Sequence, residues 1–138
     1  MKNALRRLLP LLLLTPLMAI SRTPAPPGAE VYFISPQADA KASGPVTVRF
    51  GLKGMGIAPA GTQKEGTGHH HLLIDTALPP LDQPVPVDAQ HVHFGAGQTE
   101  TVISLPPGTH TLQLLLGDFS HIPHEPPVVS PQISITVQ

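Results

Sequence analysis

Apolar and polar residues alternate along several short stretches of the chain. Val46, Val48, Phe50 and Leu52 fall on one face of an extended segment, with Thr47, Arg49 and Gly51 on the other. Ile133, Ile135 and Val137 alternate in the same way with Ser134 and Thr136. A period of two is the mark of a half-buried strand. With other β-rich runs bounded by Gly and Pro, it predicts seven strands, at residues 31–35, 46–52, 69–75, 90–94, 99–105, 110–116 and 133–137. Pro106-Pro107-Gly108 suits a tight turn, proline presetting one dihedral and glycine accepting positive φ. Gly95-Ala96-Gly97 predicts a short hairpin between the fourth and fifth strands. Two longer loops, 53–68 and 76–89, are expected, the second proline-rich and extended. This pattern reads as an all-β fold, an immunoglobulin-like antiparallel β-sandwich of about seven strands in two sheets.

Composition agrees. The 138 residues allow one domain, and 18 prolines argue against long helices, because each lacks a backbone donor and clashes with the preceding turn. No internal repeat is visible.

The first 21 residues differ from the rest. Lys2, Arg6 and Arg7 form a basic head, an apolar run follows from Leu8 to Ile20, and Ala19-Ile20-Ser21 offers small residues for cleavage. This is the layout of a signal peptide. Pro10 and Pro16 disfavour a membrane helix, and the run is shorter than the ~20 apolar residues that span a bilayer. A retained anchor is the alternative. The expected organisation is a signal peptide over 1–21, a short linker over 22–29 and the β-domain over 30–138, giving a periplasmic or secreted product. Beyond residue 21, five Lys and Arg stand against nine Asp and Glu, a net charge of −4. Without a basic stripe, nucleic acid is a poor partner. With no cysteine there is no disulfide, so about 117 residues must hold together by their own core, which is feasible at that size.

The candidate chemistry lies in the histidines. All eight fall between His69 and His124. His69 with His71, and His91 with His93, have H-x-H spacing, which in a strand puts both rings on one face about 7 Å apart. If strands run up and down, the loops after strands two, four and six emerge at one rim. That rim would gather His69 and His71, His91 and His93, and the loop residues Asp118, His121 and His124. Met55 lies in the first of those loops, as a soft ligand or as a plug for the end of the sandwich. Asp118 would ligate directly or orient a histidine. His70 shares a face with Leu72 and Ile74 and is read as an inward histidine satisfied by a backbone carbonyl. Val92 and Phe94 are read as core, which turns His91 and His93 away from it. His110 starts strand six at the opposite end and is left out of the cluster.

Without a thiolate, structural zinc of the cysteine type is excluded. Imidazole suits copper, zinc and nickel, and copper binds such sites most tightly among the divalent ions. Copper is the first choice of cofactor and zinc the second.

Three motifs carry a family resemblance. Gly66-Thr-Gly-His-His-His-Leu-Leu-Ile-Asp75, His91-Val-His-Phe-Gly-Ala-Gly-Gln-Thr-Glu100 and Pro107-Gly-Thr-His-Thr-Leu-Gln-Leu-Leu-Leu-Gly-Asp118-Phe-Ser-His121 resemble the bacterial family catalogued as domain of unknown function 4399. The resemblance runs from about Ala29 to Gln138. It implies a small exported β-domain and brings no activity with it. His91-Val-His93 is also loosely similar to the H-x-H of copper-zinc superoxide dismutase, whose disulfide cysteines are absent here. Small periplasmic copper carriers are similar in size and in their use of His and Met, with different motif spacing.

Three function classes follow. The leading one is an extracytoplasmic protein that buffers or delivers copper. A metal-dependent enzyme at the same rim is the second, although no G-x-S-x-G, H-E-x-x-H or phosphate-binding loop is present. The third is an interaction module whose rim histidines organise loops for an exported protein partner or a polysaccharide.

Overall fold

The computed structural model describes residues 21–138; the signal peptide expected over 1–21 lies, except for Ser21, outside them. Among the described residues the regular structure is all strand: β1 (Glu30–Ser35), β2 (Ala40–Ala42), β3 (Val46–Lys53), β4 (Gly56–Ile57), β5 (Thr67–Ile74), β6 (His91–His93), β7 (Glu100–Ile103), β8 (Gly108–Gly117) and β9 (Ile133–Val137). No helix among them is long and apolar enough to cross a membrane.

Two sheets form a β-sandwich. One is three-stranded, in the order β1-β3-β7, and antiparallel throughout. The other runs β2-β9-β8-β5, with β4 and β6 both pairing β5 along its remaining edge. The seven expected strands are all present. β2 and β4 are additional, and both pair in parallel, β2 with β9 and β4 with β5. They are too short to show any periodicity.

The 95–97 turn corrects the expected hairpin. β6 belongs to the larger sheet and β7 to the smaller, so this turn carries the chain between sheets. Gly97, at φ 84, completes it, its N–H donating to the Phe94 carbonyl over 3.1 Å.

The alternation read from the sequence builds the main core. Val46, Val48 and Phe50 of β3 meet Leu72 and Ile74 of β5 and Leu112, Leu114 and Leu116 of β8, all buried. Burying one such aliphatic side chain contributes about 1.5–3 kcal/mol. Phe94 is buried beside Phe50, with ring centroids 4.8 Å apart, and Val92 packs on the same core. Met55 packs against this core too, as the plug the sequence allowed.

The outer face of the larger sheet is covered as well. Leu73 of β5 and Leu115 of β8 form a second cluster with Val85, flanked by Leu81 and Val129. The two proline-rich stretches that connect β5 to β6 and β8 to β9 supply the last three residues. β5 is therefore covered on both faces, which explains its buried run from Gly68 to Ile74.

Residues 22–25, read from the sequence as linker, are bonded into the domain. Arg22 donates from Nε to the Pro123 carbonyl over 3.0 Å, and its guanidinium also binds the His124 carbonyl and the Glu125 carboxylate. Ala25 N–H donates to the Glu125 carbonyl, and Glu125 N–H to the Thr23 carbonyl, each over 2.9 Å.

Candidate metal centre

Strand parity places the first two histidines. Because His70, Leu72 and Ile74 face the main core, His69 and His71 face the opposite side of β5, under the covering loops. Register adds the third. β6 pairs β5 with His93 opposite His71, and directly opposed residues project from the same face. His121 is the fourth. It sits in a turn that folds back on the end of β8, closed by a bridge between Gly117 and Pro123. Its φ of 67 is left-handed backbone, uncommon for a residue with a side chain.

Asp118 holds that turn in shape. Its Oδ1 accepts the N–H groups of Ser120 (2.8 Å) and Ile122 (3.0 Å), and its Oδ2 accepts the Thr23 hydroxyl (2.6 Å). The backbone closes the same loop: His121 N–H donates to the Asp118 carbonyl and Asp118 N–H to the Ile122 carbonyl, both over 2.9 Å. Asp118 thus organises the loop that carries a cluster histidine.

His69, His71, His93 and His121 each offer one ring nitrogen to a common space, all four within 4.8 Å of one another. Their ring centroids are separated by 4.6 Å (93–121), 4.8 Å (69–71), 5.0 Å (69–93 and 69–121), 5.2 Å (71–93) and 6.0 Å (71–121). Four imidazoles bound tetrahedrally at metal–nitrogen distances of ~2.0–2.1 Å would have centroids about 5 Å apart. Five of the six separations are already close to that value.

The polar atoms of the cluster lack other partners. His69 Nε2 and His121 Nδ1 share one hydrogen bond of 3.1 Å, one ring nitrogen donating and the other accepting. His69 Nδ1, both nitrogens of His71 and His93 Nε2 are buried with no hydrogen-bond partner. Such orphaned groups are costly, roughly 1–3 kcal/mol each, and a bound ion would satisfy one nitrogen on each ring.

At His69, His71 and His93 the electrostatics favour the neutral ring, the form that ligates. Burial, then the neighbouring His121 and His93, lower the His69 pKa to about 4. Burial, followed by His69, His93 and His121, lowers that of His71 to about 3. His93 is also lowered, by burial and then His121.

Two glycines make room for the rings. A Cβ on Gly117 would lie 2.6 Å from His71 Cε1 and 3.3 Å from His121 Cα, and one on Gly95 would lie 2.3 Å from His93 Cε1. Neither glycine has positive φ, so what requires them is space. The sequence reading takes Gly95 only as part of a turn and does not single out Gly117; their positions two residues after His93 and next to Asp118 are the available signal.

The remaining candidates lie elsewhere. His91 faces the same side as His93 but turns to Asp88, whose Oδ1 accepts its Nδ1–H over 2.9 Å. His124 is buried on the core side of β5, beside Gly68 and Leu116, with Nε2 3.2 Å from the Thr67 carbonyl. Met55 is partly buried and packs against the main core, and Asp118 is committed to the turn. His70 faces inward as expected, but neither of its nitrogens has a partner; it lies against Phe50 with centroids 5.0 Å apart, and burial lowers its pKa to about 4. The expected backbone carbonyl is not there. His110, outside the cluster, donates from Nδ1 to Asp75 over 2.6 Å and from Nε2 to the Pro106 carbonyl over 2.8 Å. The cluster itself is not an open rim. His69 and His71 are fully buried beneath the loops, and only His93 and His121 are partly exposed.

Fold and site together define a two-sheet β-sandwich with an all-histidine cluster, able to hold a metal ion, on the outer face of its larger sheet. The chain belongs to the family described as Domain of unknown function (DUF4399), whose model matches residues 48–138. No curated protein and no solved structure matches it.

Proposed function

We propose that this is an exported metal-binding protein that holds one copper ion on His69, His71, His93 and His121. The observation that carries the reading is the convergence of four imidazoles, two of them fully buried, with four buried ring nitrogens on His69, His71 and His93 that have no hydrogen-bond partner. Copper is favoured because an all-nitrogen site without thiolate follows the divalent affinity order, in which copper stands highest. Met55 packs against the main core rather than joining the four imidazoles, so no soft ligand biases the site towards Cu(I), and Cu(II) is the form assigned. The near-tetrahedral ring spacing makes zinc the second ion.

Holding is favoured over catalysis. Catalytic zinc sites typically use three protein ligands and keep a position for water, whereas four imidazoles complete a tetrahedral shell. The basic head and apolar run of residues 1–21 support export, which would put the protein in the periplasm or outside the cell. Buffering or delivery of copper there is the corresponding role.

The test is thermal unfolding of metal-free protein with and without Cu(II) or Zn(II). An ion at 100 times its Kd adds about 2.7 kcal/mol, a rise of roughly 10 °C in Tm for a domain this size. His71→Ala and His93→Ala should abolish the rise and His91→Ala should not. No metal-dependent rise in the wild type would refute the proposal.

A further inference from the structure

The turn that carries His121 is tethered by three segments far from it in sequence. Gly61 N–H donates to the Phe119 carbonyl and Val85 N–H to the His121 carbonyl, each over 2.9 Å. The third tether comes from the segment ahead of β1, where the Thr23 hydroxyl donates to Asp118 Oδ2 over 2.6 Å. It alone of the three uses a side chain. Arg22 reinforces it, binding the carbonyls of Pro123 and His124 and the carboxylate of Glu125. The same stretch bridges in parallel to the loop at Pro24 and Glu125.

These contacts bear on the ligand set. His69 and His71 are fixed by the central strand of a sheet and His93 by its pairing with His71. His121 has no strand to hold it. Its position depends on a left-handed residue inside a turn shaped by Asp118, and one of the three protons that Asp118 accepts comes from Thr23. A metal–ligand distance tolerates only about 0.2 Å of error, so a turn free to drift by more than that would leave the ion with three imidazoles.

We propose that Thr23, backed by Arg22, is a positioning residue of the metal centre: it reaches the site through Asp118 and fixes His121 as the fourth ligand. The segment ahead of the domain is then part of the site. This rests on the metal-binding reading above.

The test compares Thr23→Val, which removes the hydroxyl at nearly constant shape, with Thr23→Ser, which restores it. Arg49→Gln, which breaks an exposed ion pair with Glu100 on the smaller sheet, is the control. Two readouts are taken on purified protein. In the Cu(II) form, electron paramagnetic resonance reports the number of nitrogen ligands, and transfer to a chelator reports the rate of loss. In the metal-free form, nuclear magnetic resonance reports the His69–His121 ring contact. Thr23→Val should lose the fourth nitrogen, release copper about 10- to 100-fold faster, as when a ligand loses its support, and weaken the ring contact. Thr23→Ser and Arg49→Gln should match the wild type. Four nitrogens, unchanged release and an intact ring contact in Thr23→Val would overturn the positioning role while leaving the metal site standing. Failure of the wild type to bind copper would overturn both proposals.

Discussion

Adding one methyl group at Gly117 should abolish binding at the proposed metal site without unfolding the protein. An alanine Cβ there would lie 2.6 Å from His71 Cε1, 3.1 Å from its Nδ1 and 3.3 Å from the His121 Cα. Ordinary carbon contacts begin near ~3.5 Å, so the His71 ring has to retreat by about 1 Å. That is several times the ~0.2 Å tolerance of a metal–nitrogen bond. Misplacing one ligand and crowding the backbone of another should cost at least the 10- to 100-fold typical of lost ligand support. The metal-free protein suffers less. Overpacking costs roughly 1–3 kcal/mol, partly offset by up to ~1 kcal/mol from the stiffer unfolded chain, and a domain usually has 5–15 kcal/mol in hand. Isothermal titration with Cu(II), alongside urea unfolding of the metal-free form, separates the two effects. Gly56→Ala is the control, because its nearest neighbour is an ordinary 3.5 Å contact with Thr67. Wild-type copper affinity in Gly117→Ala would refute the claim that His71 ligates from its present position.

Other outcomes follow from the histidines outside the cluster. His70→Leu should stabilise the metal-free protein by about 1–3 kcal/mol, because it removes two buried ring nitrogens that have no partner; a loss of stability in chemical denaturation would mean that His70 has a partner in solution. Asp75 accepts the Nδ1–H of His110 and the Pro106 carbonyl accepts its Nε2–H, which together raise the His110 pKa. A raised folded-state pKa contributes stability that is complete below the unfolded value of ~6.5 and is lost as pH climbs through the folded value. The stability gap between wild type and His110→Gln should therefore be wider at pH 5.5 than at pH 9, and an equal gap at both would show that His110 is not held charged.

The strands were legible because β3 and β9 carry clean alternation and Gly–Pro punctuation brackets the others. The sheet assignment of β7 was not legible. Gly95-Ala96-Gly97 has the chemistry of a turn whether the flanking strands pair or part, and only the pairing of β7 with β3, while β6 pairs β5, shows that it crosses between sheets. For the site, parity alone put His69 and His71 on the face away from Leu72 and Ile74. Parity treats His91 and His93 alike, however. What separates them is register, which sets His93 opposite His71, and the Asp88 turn, which captures His91. His121 and His124 looked equivalent in a proline-rich loop. The left-handed turn at His121 aims one at the cluster, while the other passes to the core side beside Gly68. None of these distinctions is local to the residues they sort, which is why spacing could nominate the ligands but not choose among them.

The most direct test of the metal assignment is calorimetric titration of the purified, tag-free protein with copper and zinc in turn. The proposal predicts one ion per chain, copper bound below micromolar and more tightly than zinc, with the copper site lost in His71→Ala. Weak binding of several ions, unchanged by His71→Ala, would contradict the assignment and leave the four histidines with a structural role.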